Sequence, residues 1–73
     1  MKETENIRNT LRRHRFLCGE LTQQDLADKV GVSRQTIVTL EKGQYNPSVA
    51  LALRLAAFFK TSVEELFQLE EDS

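Results

Sequence analysis

An all-α fold of five short helices is what this sequence predicts, and three observations carry that reading. Gly19, Gly31 and Gly43 recur every twelve residues and Pro47 stands alone, which divides the chain into segments of helical length. Between these breaks the apolar residues recur with a period near 3.6 rather than 2. Helix-capping hydroxyls, Thr22, Ser33, Ser48 and Ser62, stand just ahead of the periodic runs. Seventy-three residues leave room for one domain, read as 1–73. A chain of this size buries only about 60% of its unfolded surface, so its core must be economical or shared with a second copy.

The elements follow in order. The first segment, about Asn6 to Cys18, sets Ile7, Leu11, His14 and Cys18 on one stripe at helical spacing. Arg8, Arg12 and Arg15 gather on a neighbouring stripe, with Phe16 on that basic side and no place in the core pattern. Thr22 opens a second helix, with Asp25 three residues on as its capping-box partner. Leu26, Ala27 and Val30 form its inner face, and Gly31 suits the left-handed position that ends it. Ser33 caps a third helix running to about Lys42 and closed by Gly43; Ile37 and Leu40 point inward. Arg34, Gln35, Val38, Thr39 and Lys42 share its other side. Gln44-Tyr45-Asn46-Pro47 reads as a loop. Ser48 then caps a fourth helix, Val49 to Phe59, which is apolar almost all round except Arg54 and reads as the buried central element. Ser62-Val63-Glu64-Glu65 is a capping box for a short last helix containing Leu66 and Phe67, ahead of an acidic tail at about 70–73.

Several classes of function drop out. The lone Cys18 cannot form an internal disulfide or a four-ligand zinc site. It reads as a small buried hydrophobe, with a redox-sensing thiol as the alternative. His14 reads as a core-edge histidine with a satisfied ring nitrogen. There is no phosphate loop, no metal-ligand spacing and no room for a substrate cleft beside a nucleophile, so no catalytic residue, metal or cofactor is expected. No apolar run approaches the roughly 18 residues that span a membrane, and MKETENIRNT has no signal-peptide core. These features, with the free thiol, point to a cytoplasmic protein.

The informative stretch is LTQQDLADKVGVSRQTIVTL, residues 21–40. A capped helix, the turn Gly31-Val32 and a second capped helix force a steep crossing, with the small Ala27 where the two approach. This is helix-turn-helix geometry, in which the second helix enters the DNA major groove. Residues TQQDLADKVGVSRQTIVTLEKGQYNPS, continued by LALRLAAFFKTSVEELF, resemble the Cro-type phage-repressor and xenobiotic-response (XRE) family of transcriptional regulators over about residues 7–69. The resemblance implies a five-helix, lambda-repressor-like DNA-binding domain with its helix-turn-helix at about 22–42. Glu20 appears as an extra residue in the linker between the first two helices, and His14 replaces a more usual aliphatic residue.

Side-chain chemistry suits that role. Arg34, at the start of the third helix, can donate two hydrogen bonds to guanine O6 and N7, and Gln35 can pair likewise with adenine. Val38 can pack on a thymine methyl, and Thr39 can donate, accept or touch a methyl. By resemblance to the family, Ser33, Arg34, Gln35, Val38 and Thr39 read the bases, while Gln23, at the head of the second helix, holds a phosphate. Lys42, Tyr45 and Asn46 are further backbone candidates, each of which could equally belong to an ordinary turn. The arginines of the first helix read as a solvated face, with Arg12 the best placed to meet DNA. Glu41 reads as a structural acceptor or a partner for a nearby Lys or Arg, since phosphate would repel it.

One domain of this size reads half a site, so a homodimer on a near-palindromic operator is expected, acting as a repressor. Leu51 and Phe58, with Leu66 and Leu69, are the candidate dimer interface. An antitoxin-like or other protein-interaction module, with an unidentified protein partner, is the alternative use of the same fold. The overall charge of −1 does not oppose DNA binding. Up to Lys60 the chain has ten basic and six acidic residues; after it come five acidic and no basic ones. A basic body is thus masked in the total by an acidic end, and specificity must come from base contacts and dimerisation.

Overall fold

The computed structural model describes residues 7–69, so the acidic tail at 70–73 lies outside the described residues. Its elements are β1 (Ile7–Asn9), α1 (Leu11–Leu17), α2 (Gln23–Val30), α3 (Arg34–Glu41), α4 (Val49–Phe59), α5 (Val63–Leu66) and β2 (Phe67–Leu69). The five helices are those expected, except that Phe67, expected in the last of them, lies in β2; each of α2 to α5 starts at a side-chain cap. Thr22 and Asp25 close a reciprocal capping box on α2. Ser33, Ser48 and Ser62 accept from the amides of Thr36, Leu51 and Glu65. These contacts satisfy amides that a helix start leaves without partners.

The two strands correct the expectation that the first helix begins at Asn6. β1 and β2 pair antiparallel, with Ile7 opposite Leu69 and Asn9 opposite Phe67. Three-residue strands are marginal by themselves, and Asn9 and Thr10 supply the anchorage. Asn9 donates from Nδ2 to the Leu40 carbonyl at 2.7 Å, while its Oδ1 accepts from the Leu11 amide at 3.3 Å. Thr10 donates from its amide to the Leu66 carbonyl at 2.9 Å and from its hydroxyl to that of Glu65 at 2.8 Å. The chain therefore stays extended through Asn9, and α1 starts at Leu11.

That shift rearranges the first stripe. Leu11 is fully buried, Ile7 and His14 are half-buried, and Cys18, just past the end of α1, is exposed rather than buried. His14 donates from Nδ1 to the Thr10 carbonyl at 2.9 Å, and its ring lies against Phe59, 5.5 Å between centroids. One turn after Leu11, the inward position is held by Arg15, which was expected in solvent and is buried.

Leu11, Leu26, Ile37, Leu40, Leu55 and Leu66 are the large residues at the centre of the core, with Ala27, Val30, Leu51 and Ala56 packed among them. Two of the expected interface residues are thereby corrected. Leu51 and Leu66, 3% and 0% exposed, are consumed by the core of this one chain and have no surface to offer a second. Nor is α4 buried all round: Val49 and Leu53, one turn apart, are 77% and 57% exposed. Phe58 is half-buried and edge-on to Phe59, and Leu69 is exposed.

Candidate nucleic-acid interface

The two helices of the reading unit are joined by three residues, and the joint is set by Gly31. Its φ of 77° is left-handed, and its amide and that of Val32 both donate to the Ala27 carbonyl. A β-carbon there would meet nothing within 4 Å, so the requirement for glycine is backbone conformation rather than space. Ala27, fully buried, lets α2 lie against α3. No other two elements pack as extensively among the described residues.

This crossing leaves Arg34 and Gln35 exposed in the first turn of α3. Ser33 is occupied as the cap, its Oγ accepting from the Thr36 amide at 3.3 Å and lying 3.0 Å from the Thr36 hydroxyl. Val38 and Thr39, one turn on, are half-buried. The Thr39 hydroxyl already donates to the carbonyls of Gln35 and Thr36, at 3.0 and 3.1 Å. What Thr39 presents outward is therefore a methyl and acceptor lone pairs rather than a donor.

Behind this face lies an ion pair. Arg15 donates from Nε to Glu41 Oε2 at 2.7 Å and from Nη2 to Oε1 at 2.9 Å, and from Nη1 to the Leu21 carbonyl at 2.8 Å. The two side chains are only 11% and 9% exposed. Gln23 completes the group by donating from Nε2 to Glu41 Oε1 at 3.2 Å. One carboxylate thus ties α1, the end of α3 and the first residue of α2 together. Glu41 has the acceptor role its sequence position suggested, but its partner is the arginine read as solvated. Gln23 retains a second amide hydrogen that this network does not use.

Two adjoining recesses flank the network. Arg12, Gln23, Val38 and Lys42 line one of them around the Arg15–Glu41 pair. Gln23, Gln24, Arg34, Glu20 and Phe16 line the next. The structure therefore brings Arg12, Gln23, Val38 and Lys42 together and sets Arg34 beside them across Gln23. Tyr45 and Asn46 are exposed in the turn after α3 and line neither recess. In the linker, Gly19 and Glu20 are both left-handed, φ 83° and 57°. The amides of Glu20 and Leu21 donate back to the Phe16 and Arg15 carbonyls, which turns the chain sharply into α2.

A capped helix, a left-handed glycine and a second capped helix with exposed arginine and glutamine at its head define a helix-turn-helix DNA-binding protein. A helix-turn-helix family model matches residues 19–66. The chain is 50% identical over 66 residues to an uncharacterized HTH-type transcriptional regulator of Methanocaldococcus jannaschii, covering 90% of this chain and 98% of that one. It is 51% identical over 67 residues to one of Methanothermobacter thermautotrophicus, covering 90% and 96%. Among solved structures, the restriction-modification controller protein C.AhdI of Aeromonas hydrophila superposes with a TM-score of 0.67 at 34% identity, over 75% of this chain and 82% of that one. The chain belongs to the Cro/XRE-type helix-turn-helix family of transcriptional regulators. That is a family of DNA-binding regulators and not of enzymes. Among the described residues no helix is long and apolar enough to cross a membrane.

Proposed function

We propose that this regulator is a repressor that reads a near-palindromic operator as a homodimer. The observation that carries the reading is the exposed first turn of α3, Arg34 and Gln35, with Arg34 lining a recess that shares Gln23 with the one lined by Arg12 and Lys42. Arg34 reads guanine, Gln35 adenine, and Val38 with the Thr39 methyl meets thymine methyl groups. Ser33 contributes by fixing the start of the helix and by lying at the groove. Gln23 holds a backbone phosphate with its free amide hydrogen, supported by the amides at the head of α2. Arg12 and Lys42 supply charge on either side, and Tyr45 and Asn46 extend the backbone contact past α3.

One such face covers half a site, and a pair of them spaced roughly 34 Å apart spans one turn of duplex. Val49 and Leu53 on α4, with Phe58 and Leu69, offer apolar surface for pairing. A repressor blocks transcription by occupancy alone, which requires nothing beyond this domain and its dimer. The likeness to a restriction-modification controller protein supports a regulatory role of this kind. Selection from random duplexes tests the reading. It should return two inverted half-sites with centres about 10 base pairs apart, bound at least a thousandfold more tightly than bulk DNA. A single undivided site, or no preference at all, contradicts it.

A further inference from the structure

Of the four phenylalanines, Phe16 alone lies mostly in solvent, 53% exposed. It stands one turn after Arg12 on α1, and the Arg12 guanidinium carbon lies 5.7 Å from its ring centroid. That is within the roughly 6 Å of a cation–π contact. Arg12 lines the recess that holds Gln23, Val38 and Lys42, and Phe16 lines the neighbouring one that holds Gln23 and Arg34. Each member of the pair therefore edges one of the two adjoining recesses from α1. The acidic group that shares Arg12's recess, Glu41, is already engaged by Arg15 and Gln23.

We propose that Phe16 is a positioning residue for DNA binding, its exposed ring holding the Arg12 guanidinium at the rim where a backbone phosphate passes. This rests on the DNA-reading face proposed above. A guanidinium stacked on an aromatic face keeps its in-plane N–H donors free, and these match the geometry of phosphate oxygens. Holding the side chain in place beforehand removes rotamer freedom that binding would otherwise have to suppress. The apolar surface left in water is thus accounted for by what it does to its neighbour.

The test is a double-mutant cycle on the full chain, with fluorescence anisotropy on the selected duplex at several salt concentrations. Phe16→Ala should weaken binding about two- to fivefold, alike on all duplexes, with an unchanged melting temperature. In the Arg12→Ala background the same change should cost less than about twofold, because the two residues act through one contact. Arg12→Ala should lower the salt slope by about one, and Phe16→Tyr, which keeps the ring, should bind as the wild type does. The proposal is overturned if Phe16→Ala binds at full strength, if the two losses simply multiply, or if Phe16→Tyr loses as much as Phe16→Ala. Failure of the underlying reading has a separate signature: Arg34→Ala would then leave the base preference intact on the same duplexes, and the proposal would fall with it.

Discussion

Arg15 illustrates what one side chain's position can decide. Arginine is rarely buried unless paired, and here the pairing is bidentate to Glu41 with a third donor spent on the Leu21 carbonyl. Removing one partner of a buried pair leaves an uncompensated charge, at a cost of about 3–5 kcal/mol. Glu41→Ala should therefore destabilise the domain by that amount in urea unfolding, a large part of the roughly 5–15 kcal/mol available to a small protein. The double change Arg15→Leu, Glu41→Leu should recover much of the loss, because no charge is then left buried. From sequence, Glu41 was legible as a structural acceptor because phosphate would repel a carboxylate from direct contact with DNA. Arg15 was not legible, since its burial follows from where α1 begins, and that is decided at Asn9 and Thr10.

The same contrast holds for whole elements. α2 to α5 were legible because each is announced by a hydroxyl cap within three residues of the amide it satisfies. Local signals report local structure. Ser33→Ala should cost about 1 kcal/mol by removing the cap of α3. Gly31→Ala should cost about 1–2 kcal/mol through its left-handed backbone, with no steric term, since the space around it is open. Both are checked by denaturant unfolding. The β1–β2 ribbon could not be seen in this way: Ile7-Arg8-Asn9 finds its partner at the other end of the chain, and three residues are too short a run for alternation, even that of Phe67-Gln68-Leu69, to stand out from a helical pattern. The apolar run of α4 misled in a related fashion. Composition alone does not separate Leu51 and Leu55, which face the core, from Val49 and Leu53, which face out.

At the scale of the whole molecule, the recognition unit was the most legible part because turn, caps and small residue lie within one 20-residue window. Its support from α1 was the least. The outward face of α4 gives a direct test of the proposed dimer. Leu53→Glu, an exposed substitution that leaves the core untouched, should convert a dimer to a monomer in sedimentation and weaken operator binding at least tenfold. The charge distribution belongs to this scale too. Ten basic residues up to Lys60, offset by an acidic end, predict few phosphate contacts and a shallow dependence of affinity on salt. On the proposed reading, discrimination then comes from the first turns of α3, and that claim is the one to test first. Sites should be selected from random duplexes with the wild type, Arg34→Ala and Gln23→Ala. Arg34→Ala should relax one base position in each half-site, at a cost of about 1–3 kcal/mol, while Gln23→Ala weakens every site alike and keeps the motif. Both variants returning the wild-type motif at wild-type affinity would contradict the account.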